Sequence, residues 1–117
     1  MNIKNVLAGV AVKDLEASIR WYEGILEEPP ERPMPEVAEW EFERGGWLQV
    51  FEDEDRAGHS SVTFSVKSLE NQRERLTWLA IPIGQEIHSA TVNCAIVHDL
   101  DGNQLVFAES HEPALAQ

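Results

Sequence analysis

One five-residue pattern occurs twice and constrains the fold more than any other feature of this chain. V-K-x-L-E reads as Val12, Lys13, Asp14, Leu15 and Glu16, and again as Val66, Lys67, Ser68, Leu69 and Glu70, an interval of 54 residues. At that interval Val10 matches Phe64, Leu15 matches Leu69, and Tyr22 matches Leu76. Each copy reads as a short apolar strand, a helix cap and an amphipathic helix, so the repeat decides the architecture. Asp14 and Ser68 are the expected caps, because their short polar side chains can accept from the free N–H groups of a first helical turn. The whole chain has 117 residues, enough for one domain built from two such halves.

The spacing predicts a first helix over 15–25, with Leu15, Ile19, Tyr22 and Leu26 on one face. Pro29-Pro30 ends it. A second is predicted over 69–79, with Leu69, Leu76 and Leu79 inward and Asn71, Arg73, Glu74 and Arg75 as a solvated face. After the first helix, residues 37–44 alternate: Ala38, Trp40 and Phe42 on one side, Glu39, Glu41 and Glu43 on the other. Which side each set takes is open at this level. Gly45-Gly46 turns the chain into a strand over 47–51, where Trp47, Gln49 and Phe51 share a face. In the second half, 92–98 and 104–108 form strands around the turn Asp99-Leu100-Asp101-Gly102-Asn103. The Pro- and Glu-rich stretch 28–36 is expected to be the least ordered interior segment, and the tail after Ser110 to fray. A further short strand has room in each half.

Composition narrows the function. Nine basic against 21 acidic side chains give a formal net charge of −12. That balance disfavours nucleic acid, whose binding needs lysine and arginine to displace counterions, and also an anionic membrane surface. A neutral or cationic small molecule is the more natural partner. No apolar stretch reaches the length of a membrane span, and the run Val6 to Val12 lacks the form of a signal segment, which points to the cytoplasm. The lone Cys94 excludes an internal disulfide and is expected to be a small buried thiol.

Three segments carry a family resemblance. Val10-Ala11-Val12-Lys13-Asp14-Leu15-Glu16-Ala17-Ser18-Ile19-Arg20-Trp21-Tyr22 looks like the opening strand and helix of the vicinal oxygen chelate superfamily, the glyoxalase/bleomycin-resistance/dioxygenase group. Gly58-His59-Ser60-Ser61-Val62-Thr63-Phe64-Ser65-Val66 is similar to the strand that opens that family's second module. Asp99-Leu100-Asp101-Gly102-Asn103 resembles its D-P-D-G-N hairpin, with Leu100 where proline is usual. The resemblance implies an α+β fold of two βαβββ modules, about 1–56 and 57–110 followed by the tail 111–117, whose curved mixed sheets surround a ligand cavity. It also implies a homodimer in which modules of both subunits complete each cavity.

Metal-dependent members of the family hold a divalent ion through His, Gln or Glu at four strand positions. These fall here on Leu7, Gln49, Ser61 and Val106. Leucine and valine offer no donor atom and a serine hydroxyl is a poor ligand, so the expectation is no metal and no cofactor. His59, on the strand face of Ser61, is the first candidate for a displaced ligand; His88 and His98 are the others, and neither occupies a family ligand position. The plainer reading of His59 is a loop-edge histidine bonded to a backbone carbonyl. No catalytic residue set appears: no phosphate loop, no nucleophile elbow and no metalloprotease motif.

The expected site is therefore a cavity lined by Leu7, Gly9, Trp47, Gln49, Phe51, His59, Ser61 and Val106. The reading that follows is a metal-free binding protein for a small cationic or aromatic molecule, by analogy with bleomycin resistance. The alternatives are a glyoxalase-, isomerase- or dioxygenase-type enzyme with a displaced or metal-free site, and an interaction module without a ligand. Singly, Trp40 and Trp47 read as packing and the glutamates as a solvated sheet face.

Overall fold

The structure is a computed structural model, and residues 1–111 are described. The tail at 112–117, expected to fray, lies outside the described residues.

The repeat is literal. Strand β1 (Leu7–Val12) leads into helix α1 (Leu15–Leu26), and strands β2 (Glu31–Met34), β3 (Val37–Glu41) and β4 (Trp47–Glu52) complete the first half. The second half runs β5 (Ser61–Ser65), α2 (Leu69–Trp78), β6 (Gln85–His88), β7 (Val92–His98) and β8 (Gln104–Ser110). The sheets have matching orders, β1-β4-β3-β2 and β5-β8-β7-β6, with one parallel pair in each. From Leu7 to Ser61 and from Leu15 to Leu69 the interval is the same 54 residues.

Local chemistry fixes both helices. Asp14 accepts from Ala17 N at 3.1 Å and Ser68 from Asn71 N at 3.1 Å, each closing an orphan donor of a first turn. Strands and helices then bury one shared apolar layer. Val10, Val12, Trp40, Leu48, Val50 and Val62 meet Leu15, Ile19, Tyr22, Leu69, Leu76 and Phe107 in a single core. Trp40 belongs to it as packing: it is 3% exposed, lies 6.0 Å from the Tyr22 ring, and donates through Nε1 to Glu28 O.

The sheets meet along their edge strands β1 and β5. Ala11 N donates to Ser60 Oγ at 3.2 Å, and Asn103 Nδ2 donates to Ala11 O at 2.8 Å. The β7–β8 turn carries this junction. Asp99 Oδ1 accepts from Asp101 N and Asn103 N, as aspartates in turns do. Its Oδ2 accepts from Tyr22 and Asn103, and Asp101 Oδ2 accepts from Lys13 N, so the turn also ties the second module to the first.

Several expectations need correction. The stretch 28–36 is not irregular: Glu31–Met34 is an edge strand paired with β3, its register shifting between those two residues. Pro33 is tolerated because an edge strand can spare an N–H, and Arg32 holds the segment by donating to Val37 O and Pro35 O. Strand β3 stops at Glu41, because Phe42 N and Gly46 O close a turn one residue later. Cys94 is half-buried, since β7 turns its side chain to the open face of its sheet. The polar face of α2 is not all solvated: Arg73 pairs with Glu86, while Arg75 donates to Gly24 O across the module boundary and lies over the Trp78 ring.

Candidate functional site

Residues directly opposite in neighbouring strands share a face of the sheet. The first sheet therefore carries three rows on the side away from its helix. Leu7, Trp47 and Glu41 form one, Gly9, Gln49 and Glu39 the next, and Ala11, Phe51 and Val37 the third. In the second sheet the corresponding rows begin Ser61–Gln104–His98 and Thr63–Val106–Ile96. Leu7, Gly9, Trp47, Gln49 and Phe51 thus come together on one sheet, and Ser61 and Val106 on the equivalent face of the other.

The question left open by the alternation of β3 is decided by burial. Ala38 and Trp40 go under α1, which leaves Glu39 and Glu41 beside Gln49 and Trp47. Gln49 Nε2 donates to Glu39 Oε2 at 2.8 Å, so the central polar side chain of the face is already tied to a carboxylate. Glu43 leaves the set: beyond the end of β3, it pairs with Lys67 at 3.4 Å.

The aromatic wall is partly occupied by the protein itself. Phe51 has Arg56 over its ring at 5.1 Å, and Arg56 in turn pairs with Asp53. The same ring covers Gly9, where an added Cβ would sit 3.3 Å from Phe51 Cε1. Glycine at this position leaves room for the ring's edge. Trp47 is half-buried and keeps part of its surface open.

His59 is exposed and its ring reaches no backbone carbonyl among the described residues, so the expected loop-edge bond is not made. The four family metal positions do not fit a divalent ion. Leu7 and Val106 have no donor, Ser61 Oγ accepts from Gln104 Nε2, and Gln49 is engaged by Glu39. Among the described residues no three His, Cys, Asp or Glu side chains converge on a common point.

A cleft of about 790 Å³ opens elsewhere, on the helix-facing side, and of the eight expected site residues Trp47 alone borders it. The sequence did not announce this cleft, since its walls come from both modules. Nor did it announce the Tyr22–Asp99 contact, whose partners are 77 residues apart.

No family model matches the chain, and no curated relative matches it. Solved structures do. A glyoxalase/bleomycin resistance protein from Catenulispora acidiphila is 29% identical, superposes with a TM-score of 0.83, and is matched over 92% of this chain and 98% of its own. In fold and over nearly its whole length the chain is similar to the glyoxalase/bleomycin-resistance group, consistent with the vicinal oxygen chelate superfamily. The chain shares its α+β fold with more distant structures as well. An antibiotic-binding protein from Streptomyces sp. CB03234 is 16% identical with a TM-score of 0.81, covering 94% of this chain and 98% of that one. A lactoylglutathione lyase from Agrobacterium tumefaciens is 16% identical with a TM-score of 0.77, covering 93% and 94%. At that identity these two speak for the fold alone. Among the described residues no helix is long and apolar enough to cross a membrane.

Proposed function

We propose that this protein is a member of the vicinal oxygen chelate superfamily and a metal-free binder of a small cationic aromatic molecule, held on the face built from Glu39, Glu41, Trp47 and Gln49. The observation that carries the reading is the register of β3 against β4. It sets two carboxylates directly opposite Gln49 and Trp47. An indole face with a carboxylate beside it attracts a flat cation through both stacking and charge, at about 0.5–2 kcal/mol per good aromatic contact. The antibiotic-binding and bleomycin-resistance neighbours favour the same kind of role.

The chain acts as one domain of two modules, about 1–56 and 57–110, and two copies pair so that each open sheet face is covered by the other subunit. Leu7, Met34 and Ile87, which are 44%, 50% and 41% exposed on these faces, supply apolar surface for that contact. A cytoplasmic setting accords with the free thiol of Cys94.

A thermal-shift series of 2-naphthylmethylamine, 2-naphthalenemethanol and 2-naphthoate tests the charge preference. The amine should stabilise most and the carboxylate not at all. Stabilisation by the carboxylate alone would overturn the reading and favour an enzyme acting on acidic substrates. Because Trp47 also borders the cleft, Glu39→Gln is the variant that assigns a hit to this face.

A further inference from the structure

The cleft on the helix-facing side includes none of the family's metal positions and shares only Trp47 and Glu41, at its rim, with the face above. Its walls are the aromatic and aliphatic side chains of Ile25, Leu26, Phe42, Leu48, Phe64 and Phe107. Phe64 lies stacked on Phe107 with ring centroids 5.4 Å apart, and Phe42 meets Phe64 edge-on at 5.9 Å. The ring ladder comes from both modules, so the pocket exists only when they dock. A volume of about 790 Å³ falls within the range of sites for drug-sized ligands.

One polar group inside has no counterpart. Gln72, on α2, lines the cleft, and its Nε2 is shielded from solvent yet finds no acceptor among the described residues. A buried amide N–H₂ without a partner is costly, and such groups are normally satisfied. The natural complement is an oxygen acceptor that enters with a ligand. Charge at the mouth then limits what can carry it. Lys67 is paired to Glu43, which leaves Glu28 and Glu41 against Arg44. A carboxylate would meet net negative charge on entry, whereas a neutral carbonyl would not.

We infer that this inter-module cleft is a second ligand site, taking a neutral, flat aromatic molecule whose carbonyl oxygen accepts from Gln72 Nε2 while its rings lie along Phe42, Phe64 and Phe107. The inference does not rest on the cation-binding face, because Gln72 and the three phenylalanines lie outside it, although Trp47 and Glu41 border both.

The neutral aromatic ketone 6-propionyl-2-dimethylaminonaphthalene tests this directly, because its emission moves to the red when the carbonyl accepts a hydrogen bond. It should bind the intact protein with a hydrogen-bonded emission band. Gln72→Leu, which keeps the volume and removes the donor, should weaken binding about tenfold and shift the bound emission to the blue. The same variant should melt no lower than the parent, since it removes an unpaired polar atom. Unchanged affinity and emission in Gln72→Leu would overturn the inference, as would failure of the ketone to bind. Loss of binding in Glu39→Gln instead would assign the probe to the outer face and overturn it too. Failure of the naphthyl cation series leaves the ketone result standing, so the two readings fail separately.

Discussion

The hydroxyl of Tyr22 on α1 donates a 2.7 Å hydrogen bond to Asp99 Oδ2 in the β7–β8 turn, joining the two modules through a fully buried ring. Asn103, also fully buried, completes the join: its Nδ2 donates to Ala11 O and Asp99, and its Oδ1 accepts from Ser60 N. Tyr22→Phe should therefore cost about 1.5–3 kcal/mol, the range for a bond to a charged acceptor. Asn103→Ala, which strands several buried groups at once, should cost more. Urea unfolding of both variants checks the order; a smaller loss in Asn103→Ala would refute it.

The same contact predicts an alkaline limit. Burial, reinforced by the neighbouring Asp99, pushes the Tyr22 hydroxyl far above its ordinary value near 10. The folded state keeps this proton while the unfolded chain gives it up. The stabilisation is thus complete below about pH 10 and is lost progressively as pH rises beyond it. Tyr22 is the single tyrosine of the chain, so a tyrosinate rise at 295 nm, above the background of the four tryptophans, can come only from it. The native signal should stay flat past pH 10 and rise only with unfolding, and the Tyr22→Phe variant should show a shallower alkaline decline in stability.

Glycine at 58 should prove irreplaceable. Its φ of +90° lies in the left-handed region, and an added Cβ would sit 2.6 Å from the carbonyl oxygen of Asp101. Gly58→Ala should lower stability by about 1–3 kcal/mol. Gly46→Ala, in open space and without positive φ, is the matched control. Equal melting of the two would contradict the account.

Removing the charge at Glu39 tests the binding face. Glu39→Gln keeps an acceptor for Gln49 but loses the carboxylate. Affinity for 2-naphthylmethylamine should fall at least about fivefold, the ~1 kcal/mol felt by a unit charge at 4 Å even in water. The difference between parent and variant should shrink in 1 M salt, where the Debye length is about 3 Å. A titration showing equal affinities at low salt would remove Glu39 from the site.

Metal addition should leave the protein unmoved. Leu7 and Val106 provide no donors, and Gln49 is held by Glu39. A tenfold excess of zinc, nickel or manganese should not raise the melting temperature, and elemental analysis of the purified protein should find no stoichiometric ion. One tightly bound ion per subunit that His59→Ala releases would establish the displaced site instead.

Much of the fold was legible in the chain because its signals are local. The caps at Asp14 and Ser68, the apolar spacing of Leu15, Ile19 and Tyr22, and the glycine turn after Phe42 each act within a few residues. The segment 28–36 was not legible, since Pro33 and its acidic neighbours mask an edge strand that exists only by pairing with β3. The site divided in the same way. Trp47, Gln49 and Phe51 could be placed on one face by period alone, but Arg56 over the Phe51 ring and the exposure of His59 could not.

By itself the sequence determined two equivalent strand–helix units and the lack of a ligating atom at Leu7 and Val106, because a side chain's donor atoms do not depend on the fold. Only tertiary structure decided that Glu39 and Glu41 share the face of Gln49, because burying Trp40 under α1 forces the alternate residues of β3 to the other side. Docking of the modules likewise decided the Tyr22–Asp99 bond and the aromatic cleft around Gln72. Their groups lie far apart along the chain, and no local periodicity encodes which of them will meet.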